Sequence, residues 1–370
     1  MTARKWLTEI SAAYADLGTF LPLTLGLVVL AGVDPVGLLF GFGLFALATA
    51  FIYRRPIPIQ PMKATAAMGV AGVIGPDVLI ATGILLGLTL ILLSQTDLSG
   101  RLKRLVPRTV LHGMRVALAL TLLLSIIDLN SVSIPVTAAL LLLFLVMQLS
   151  GLRPISCLVL LSAGWVFLGE TISLSASLHS MSLPTLAIPE ATAFVAAMET
   201  AFLPQLALTL TNALILTAVI AQDYFPDDRK PVTEKRLALS SGLANLLLAP
   251  IGAIPMCHGA GGLSAHRAMG SATGWSIAIF GATCLALAAM FGSQVTAIIA
   301  AVPAEVILVL LLFASWHLAD PIQIVKVKPS CKLIIAGMVM VALTAGLMTA
   351  LAVGVILEWS ITRYYRTYQG

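Results

Sequence analysis

The chain has 370 residues, of which 59% are hydrophobic and only 10% charged, with a formal net charge of +5. Soluble domains carry about 25% charged residues, and a single core of this size cannot hide so much apolar surface, so a water-soluble globular protein is excluded. The four cysteines (Cys157, Cys257, Cys284, Cys331) are widely spaced with no CxxC pair, which excludes a disulfide framework and a zinc ribbon.

Taken in chain order, the first apolar run (Leu17–Leu30) follows Glu9 and Asp16 rather than a basic stretch, and no A-x-A site comes after it. It is expected to stay as a span and not to be cleaved. A span needs roughly 20 apolar residues, fewer where helices are broken. Apolar stretches predict spans over 10–31, 36–53, 57–75, 78–95, 106–127, 134–150 and 154–169, then over 200–222, 237–252, 254–270, 273–291, 302–318, 332–347 and 349–362. These form two groups of seven. About eight residues follow the last, so no C-terminal soluble domain is expected.

Basic residues test that count, because Lys and Arg accumulate in cytoplasmic loops. With the N-terminus inside, Arg4/Lys5, Arg54/Arg55, Arg101 to Arg108, Arg153, Arg229 to Arg236, Lys326 to Lys332 and Arg363/Arg366 all fall on the cytoplasmic side. Only Lys63, Arg115 and Arg267 fall within spans. The longest external loop, about 170–199, has no Lys or Arg and carries Glu170, Glu190 and Glu199. A multi-pass protein of the cell inner membrane with both termini cytoplasmic is the expectation. Two groups of seven with the same charge pattern make the second half enter from the opposite side. That is an inverted repeat, whose binding sites lie near the midplane where broken helices meet. The chain reads as one membrane domain, 1–370, with repeats over 1–180 and 190–370.

Matching interruptions occur in the two halves. The third span begins Arg55-Pro-Ile-Pro-Ile-Gln-Pro-Met-Lys63. Proline removes a donor and disfavours helix in the preceding residue, so 57–60 is expected to be extended, with Pro61 as the first helical residue. The tenth span repeats the design over Pro250-Ile-Gly-Ala-Ile-Pro255-Met-Cys-His258, followed by Gly259, Gly261 and Gly262. A helix start leaves N–H groups unpaired and carries about half a positive charge, so two such starts make an anion site. The competing reading is that both are proline kinks that aid packing.

The motifs Pro58-Ile-Gln-Pro-Met-Lys63-Ala and Pro255-Met-Cys-His-Gly-Ala-Gly-Gly-Leu263, with the weaker Ala15-Asp-Leu-Gly-Thr-Phe-Leu-Pro22, resemble signature segments of the molybdate transporter family, a branch of the sulfate permease superfamily. The resemblance runs over the whole chain. It implies an all-α, seven-plus-seven inverted-repeat fold with two broken half-helices, a core domain of spans 1–4 and 8–11, and a gate domain of spans 5–7 and 12–14. It also implies uptake of molybdate. His266-Arg267-Ala-Met-Gly is a looser match to the family pattern.

The expected substrate contacts are Gln60, Met62, Lys63 and Ala64 at the first break and Met256, Cys257, His258, Gly259, Gly261 and Gly262 at the second. Thr19 in the first span joins them, as do Gln205, Thr209 and Asn212, which share one face of the eighth. Lys63 either gives a full charge to a dianion or pairs with Asp16. His258 is either a donor to the oxyanion or held in a structural hydrogen bond, and is a candidate for proton coupling. Polar groups on the eighth span also glue helices together without touching substrate. Asp16, Arg115 and Glu305 are candidates for coupling or gating, with Arg115 and Glu305 expected to pair. Cys257, His258 and His266 match no zinc spacing, and neither metal nor cofactor is expected.

The expected function is secondary active import of molybdate; the alternatives are a sulfate or general tetrahedral-oxyanion permease and, in another class, an anion channel. Enzyme activity is not expected, because HExxH, GxSxG and paired mid-membrane carboxylates are all missing. A nucleobase carrier of this fold class would hold an acidic residue deep in the eighth span, where 205–212 is uncharged. Expected partners are molybdate (or tungstate or sulfate) and the lipid bilayer, and no nucleic acid; a homodimer is compatible with the sequence without being required by it. Gly261→Val is expected to abolish uptake while leaving the thermal unfolding of the purified protein unchanged. Normal uptake by that variant would refute contact between substrate and main chain at the second break.

Overall fold

In this computed structural model, residues 2–96, 107–126, 132–168, 183–228, 230–319 and 321–368 are described. The first half contains α1 (Ala3–Ala12), α2 (Leu17–Leu30), α3 (Pro35–Tyr53), β1 (Ile59–Pro61), α4 (Lys63–Val70), α5 (Pro76–Gln95), α6 (Arg108–Ile126), α7 (Ile134–Leu149) and α8 (Ser156–Leu168). The second contains α9 (Ala191–Tyr224), α10 (Glu234–Leu248), β2 (Met256–His258), α11 (Ala260–Ala268), α12 (Trp275–Phe291), α13 (Val295–Ala300), α14 (Ala304–Ala319), α15 (Pro321–Lys326), α16 (Pro329–Ala345) and α17 (Leu347–Tyr368). Four helices among the described residues are long and apolar enough to cross a membrane, over Ala3–Leu30, Pro35–Tyr53, Pro76–Gln95 and Ala191–Tyr224, and six shorter apolar helices accompany them.

Local chemistry sets the element ends. Asp34 accepts from the backbone N–H groups of Val36 (3.2 Å) and Gly37 (2.9 Å), and Pro35 stands at the first helical position, so α3 starts there. α3 stops at Arg54, which takes a left-handed conformation (φ 54°) just before the prolines that forbid further helix. The Arg55 guanidinium pairs with Asp228, donates to the Ala272 carbonyl oxygen (2.9 Å) and lies over the Phe225 ring. The hydrogen bonds that Arg55 donates to Asp228 hold it above the ordinary arginine range against the opposing pull of burial. That contact ties the entrance of the first break to the end of α9.

The fold is a seven-plus-seven inverted repeat, and its packing shows the symmetry. α3 packs most heavily on α12, and α5 on α10. These are spans 2 with 11 and 4 with 9, the same contact with the halves exchanged. Both interfaces close on a glycine pair. A Cβ on Gly43 would lie 2.9 Å from the Gly281 carbonyl oxygen, and one on Gly281 would lie 2.9 Å from that of Gly43. Gly87 and Gly242 stand in the same relation, again at 2.9 Å each way. Without a hydrophobic drive between helices in lipid, such close backbone approach supplies the dispersion contact that joins them. The remaining spans repeat the pattern: α16 lies on α6 and α17, while α7 lies on α14 and α8.

Four expectations need correction. α9 begins at Ala191, not near 200, because 191–199 is alanine-rich and free of glycine and proline; Glu199 therefore lies inside the helix, in a π-helical stretch over Met198–Phe202. Most of the remaining expected loop, including Glu170, is outside the described residues. Pro61 is strand, not helix, since it pairs across to Met256; the helix starts at Lys63 after Met62 as N-cap. The second break is not extended from Pro250: Ala249–Ile251 forms a 3₁₀ turn and Gly252, at φ 84°, turns the chain before β2. The short helices α13 and α15 were not expected.

Gly242→Val should lower thermal stability in detergent by about 1–3 kcal/mol through overpacking against α5. Gly337→Ala, where an added Cβ meets nothing within 4 Å, should leave the melting temperature unchanged. Equal melting of both variants would remove the glycine contact as a stabilising feature.

Candidate functional site

The two breaks meet. β1 and β2 pair antiparallel in the register Ile59↔His258, Gln60↔Cys257 and Pro61↔Met256, and the Met62 N–H extends the ladder to the Pro255 carbonyl oxygen (2.9 Å). All six strand residues are buried. α4 and α11 leave opposite ends of this short ribbon, each with its N-terminus at the crossing. The ribbon also divides two apolar cores: Met62 and Cys257 belong to one, Ile59 and Met256 to the other.

One face of the crossing is polar. Gln60 Nε2 donates to Asp16 Oδ2 at 2.6 Å, and the two residues are 1% and 7% exposed. Asp16 sits in the turn between α1 and α2, with Thr19 buried just beyond it. A Cβ at Gly259 would strike the Gln60 amide, and one at Gly262 would strike the Asp16 carboxylate, so both glycines are required for that approach. The Lys63 ammonium is buried without a hydrogen-bond partner, as are Asp16 Oδ1, Gln60 Oε1 and Asn212 Oδ1. Lys63 therefore does not make the direct pair with Asp16; Gln60 holds that carboxylate instead.

The N-termini of the two half-helices differ. At α4, Gln205 Oε1 accepts from the N–H groups of Ala64 (2.9 Å) and Thr65 (3.3 Å), while its Nε2 donates to Thr209 Oγ1 (3.0 Å). At α11 the N-cap is Gly259 and no side chain caps the helix, whose first turn contains Gly261 and Gly262. Asn212 lies in the second π-helical stretch of α9, Thr209–Leu216, which packs on both β2 and α11. Wide π turns commonly mark functional positions in long helices.

His258 points to the other side. Its Nδ1 lies 3.2 Å from the Pro58 carbonyl oxygen and so carries the hydrogen, which leaves Nε2 to accept from Ser240 Oγ at 2.8 Å. With both nitrogens engaged and Tyr53 and Phe45 against the ring, the structural hydrogen bond is the role seen here. Arg115 and Glu305 do not pair. Arg115 donates to Asp223 at the end of α9 (3.0 Å), while Glu305, opening α14, accepts from the Ser133 N–H (3.1 Å) before α7.

Two residues with no clear signal in the sequence hold the site. Asn245 of α10 receives the Met256 N–H at 2.8 Å and donates to the Met256 carbonyl oxygen at 2.6 Å, acting as a third strand beside β2. Glu9 of α1, 4% exposed, accepts from Ser271 Oγ (2.6 Å), Thr273 Oγ1 (2.8 Å) and the Ser276 N–H (3.1 Å), which caps α12 and fastens α1 to the helix after α11. An Asn and a Glu on otherwise ordinary helices announce neither role. Among the described residues no group of three or more His, Cys, Asp or Glu could hold a metal.

A family profile described as "Molybdate transporter of MFS superfamily" matches residues 8–122 and 197–318. The chain belongs to the molybdate transporter family. Both breaks lie within the matched segments. Molybdate transporter 2 of Arabidopsis thaliana is 26% identical over 365 residues, covering 84% of this chain and 78% of the relative. Molybdate transporter 1 of Chlamydomonas reinhardtii is 35% identical over 127 residues, 33% of this chain and 24% of that one. Among solved structures, the transmembrane domain of a cyanobacterium bicarbonate transporter, BicA, aligns over 96% of this chain and 98% of its own with TM-score 0.54 and 16% identity. The murine anion transporter Slc26a9 in its inward-facing state aligns over 96% and 68% with TM-score 0.62 and 13% identity. At these identities the likeness speaks to the fold. Family and fold together make this an anion transporter of the membrane and not an enzyme.

Asn245→Leu strands a buried N–H and a buried carbonyl of Met256 and should cost about 2–4 kcal/mol. Thermal unfolding in detergent checks it; a melting temperature within a degree of wild type would show that β2 does not need the clamp.

Proposed function

We propose that the protein is a secondary active transporter that imports molybdate, bound at the membrane midplane between α4 and α11, the half-helices that follow Pro61 and Pro255. The observation that carries this reading is the Lys63 ammonium, buried at the first residue of α4 without a hydrogen-bond partner. A buried charge without a partner is costly, and an oxyanion at the crossing supplies one. The positive ends of α4 and α11 add to the same field, and glycine in the first turn of α11 admits an anion close to the main chain. Thr19, Gln60, Met62, Ala64, Thr209, Asn212, Met256, Cys257, Gly259, Gly261 and Gly262 surround that position in this reading, and Asp16 balances the charge of Lys63 when the site is empty.

Residues 1–180 and 190–370 form the two repeats, with spans 1–4 and 8–11 as the core that carries substrate and spans 5–7 and 12–14 as the gate. The distribution of basic loops supports cytoplasmic termini and the inner membrane. The polar crossing is enclosed by buried side chains, which favours a carrier over a channel with a continuous pore.

The test is molybdate uptake into proteoliposomes of purified protein, read by elemental mass spectrometry with excess sulfate present. Saturable uptake that survives sulfate is expected, and uptake erased by sulfate would make this a general oxyanion permease. Lys63→Met should cut uptake by about tenfold or more, since hydrogen bonds to charged groups contribute about 1.5–3 kcal/mol. No uptake by folded wild-type protein would remove molybdate as the substrate.

A further inference from the structure

We propose that Gln205 is a tethered occupant of the anion site: its amide oxygen holds the α4 N-terminus while the site is empty, and an incoming dianion displaces it. The inference rests on the function proposed above and assigns Gln205 the part of a competitor, not of a ligand.

The geometry carries it. The N–H groups of Ala64 and Thr65 are donors that a serine, threonine or aspartate at the N-cap ordinarily satisfies. The residue at the α4 N-cap is Met62, which has no oxygen to offer and makes no cap bond. Gln205 reaches in from α9 and places one oxygen 2.9 and 3.3 Å from the two nitrogens. Its orientation follows from chemistry: a flipped amide would set NH₂ against two N–H donors, and the true NH₂ already donates to Thr209. An oxygen of a tetrahedral anion bound to a helix start would take that same place. The side chain is 1% exposed, so no solvent oxygen competes for the position.

Two further features separate this from ordinary interhelical glue. The equivalent start, α11, has no side-chain cap, so one half of an otherwise repeated site carries a stand-in and the other does not. Beside the filled end, Lys63 Nζ stays buried without a partner, and Asn212 Oδ1 does the same on the helix that bears Gln205, at 4% exposure. A neutral amide oxygen satisfies the backbone donors but not the ammonium. α9 is π-helical on both sides of Leu203–Leu208, over Met198–Phe202 and Thr209–Leu216, the wide-turn geometry that commonly marks functional positions.

The exchange sets a threshold for entry. Displacing the amide costs two hydrogen bonds, so an anion must bind the helix start and Lys63 well enough to offset them. A dianion makes stronger charge-assisted bonds than a monoanion of the same shape. Gln205 therefore selects doubly charged tetrahedral oxyanions against singly charged ones.

The experiment is calorimetric titration of wild type, Gln205→Ala and Gln205→Glu in lipid nanodiscs with molybdate and with perrhenate, a tetrahedral monoanion. Removing the competitor should tighten molybdate binding about tenfold, as two net hydrogen bonds predict, and make perrhenate binding measurable. Gln205→Glu puts a permanent carboxylate at the α4 end and should abolish binding of both anions. Weaker molybdate binding by Gln205→Ala would make Gln205 a substrate ligand and overturn the proposal. Unchanged binding would reduce it to packing and overturn it equally. Amide hydrogen exchange of the segment containing Ala64 and Thr65, faster in ligand-free Gln205→Ala, reads the cap without any substrate. Unchanged exchange of that segment in Gln205→Ala, with intact molybdate binding, would refute the inference alone, whereas folded wild type that binds neither anion refutes the functional reading beneath it as well.

Discussion

Main chain that is not helical can exist at membrane depth only where protein satisfies its N–H and carbonyl groups, and in this fold two three-residue strands satisfy each other. The ribbon of β1 and β2 is the constraint on which the rest depends. Antiparallel pairing makes α4 and α11 depart in opposite directions and brings the N-terminus of each to one place. Three prolines precede α4 and two precede α11, so neither break can relax into a continuous span. Asn245 seals the outer edge of β2, and the Pro58 carbonyl finds His258, leaving little of the ribbon's backbone to solvent or lipid.

Around that ribbon the two halves hold each other as well as themselves. Gly43 meets Gly281 and Gly87 meets Gly242, each contact joining a helix of the first repeat to one of the second. Neither half closes its own share of the core, and a chain folding this way must bring distant segments together before either interface forms. Of the buried polar groups, Glu9 follows the same rule by reaching across to α12, while Asp16 with Gln60 works within the first half and holds the first break to the turn between α1 and α2.

The symmetry is not complete. α14 packs along both α2 and α11, while the equivalent approach of α6 to α9 is slight. The equivalent contacts of the two halves are therefore unequal, and the packing departs from exact two-fold exchange. The chemical asymmetry at the centre is of the same kind, since α4 is capped by Gln205 and α11 is uncapped.

Lipid as solvent, the two groups of seven apolar stretches and the paired breaks were legible in the linear chain, because hydropathy, proline and basic loops act locally and leave periodic marks. The residues of both breaks do meet, as the repeat implied. What the chain alone could not decide was which polar side chain satisfies which buried group. Gln205 and Thr209 looked like one face of a helix, yet only packing shows the amide turned onto α4. His258, a candidate donor by proximity to the break, faces away because strand residues alternate sides and its neighbour Cys257 pairs with Gln60. Arg115 finds Asp223 and Lys63 finds no partner, since side-chain pairing depends on depth and helix rotation set by tertiary contacts. Local rules determined where the backbone breaks; only the packed bundle decided which oxygen stands at each broken end.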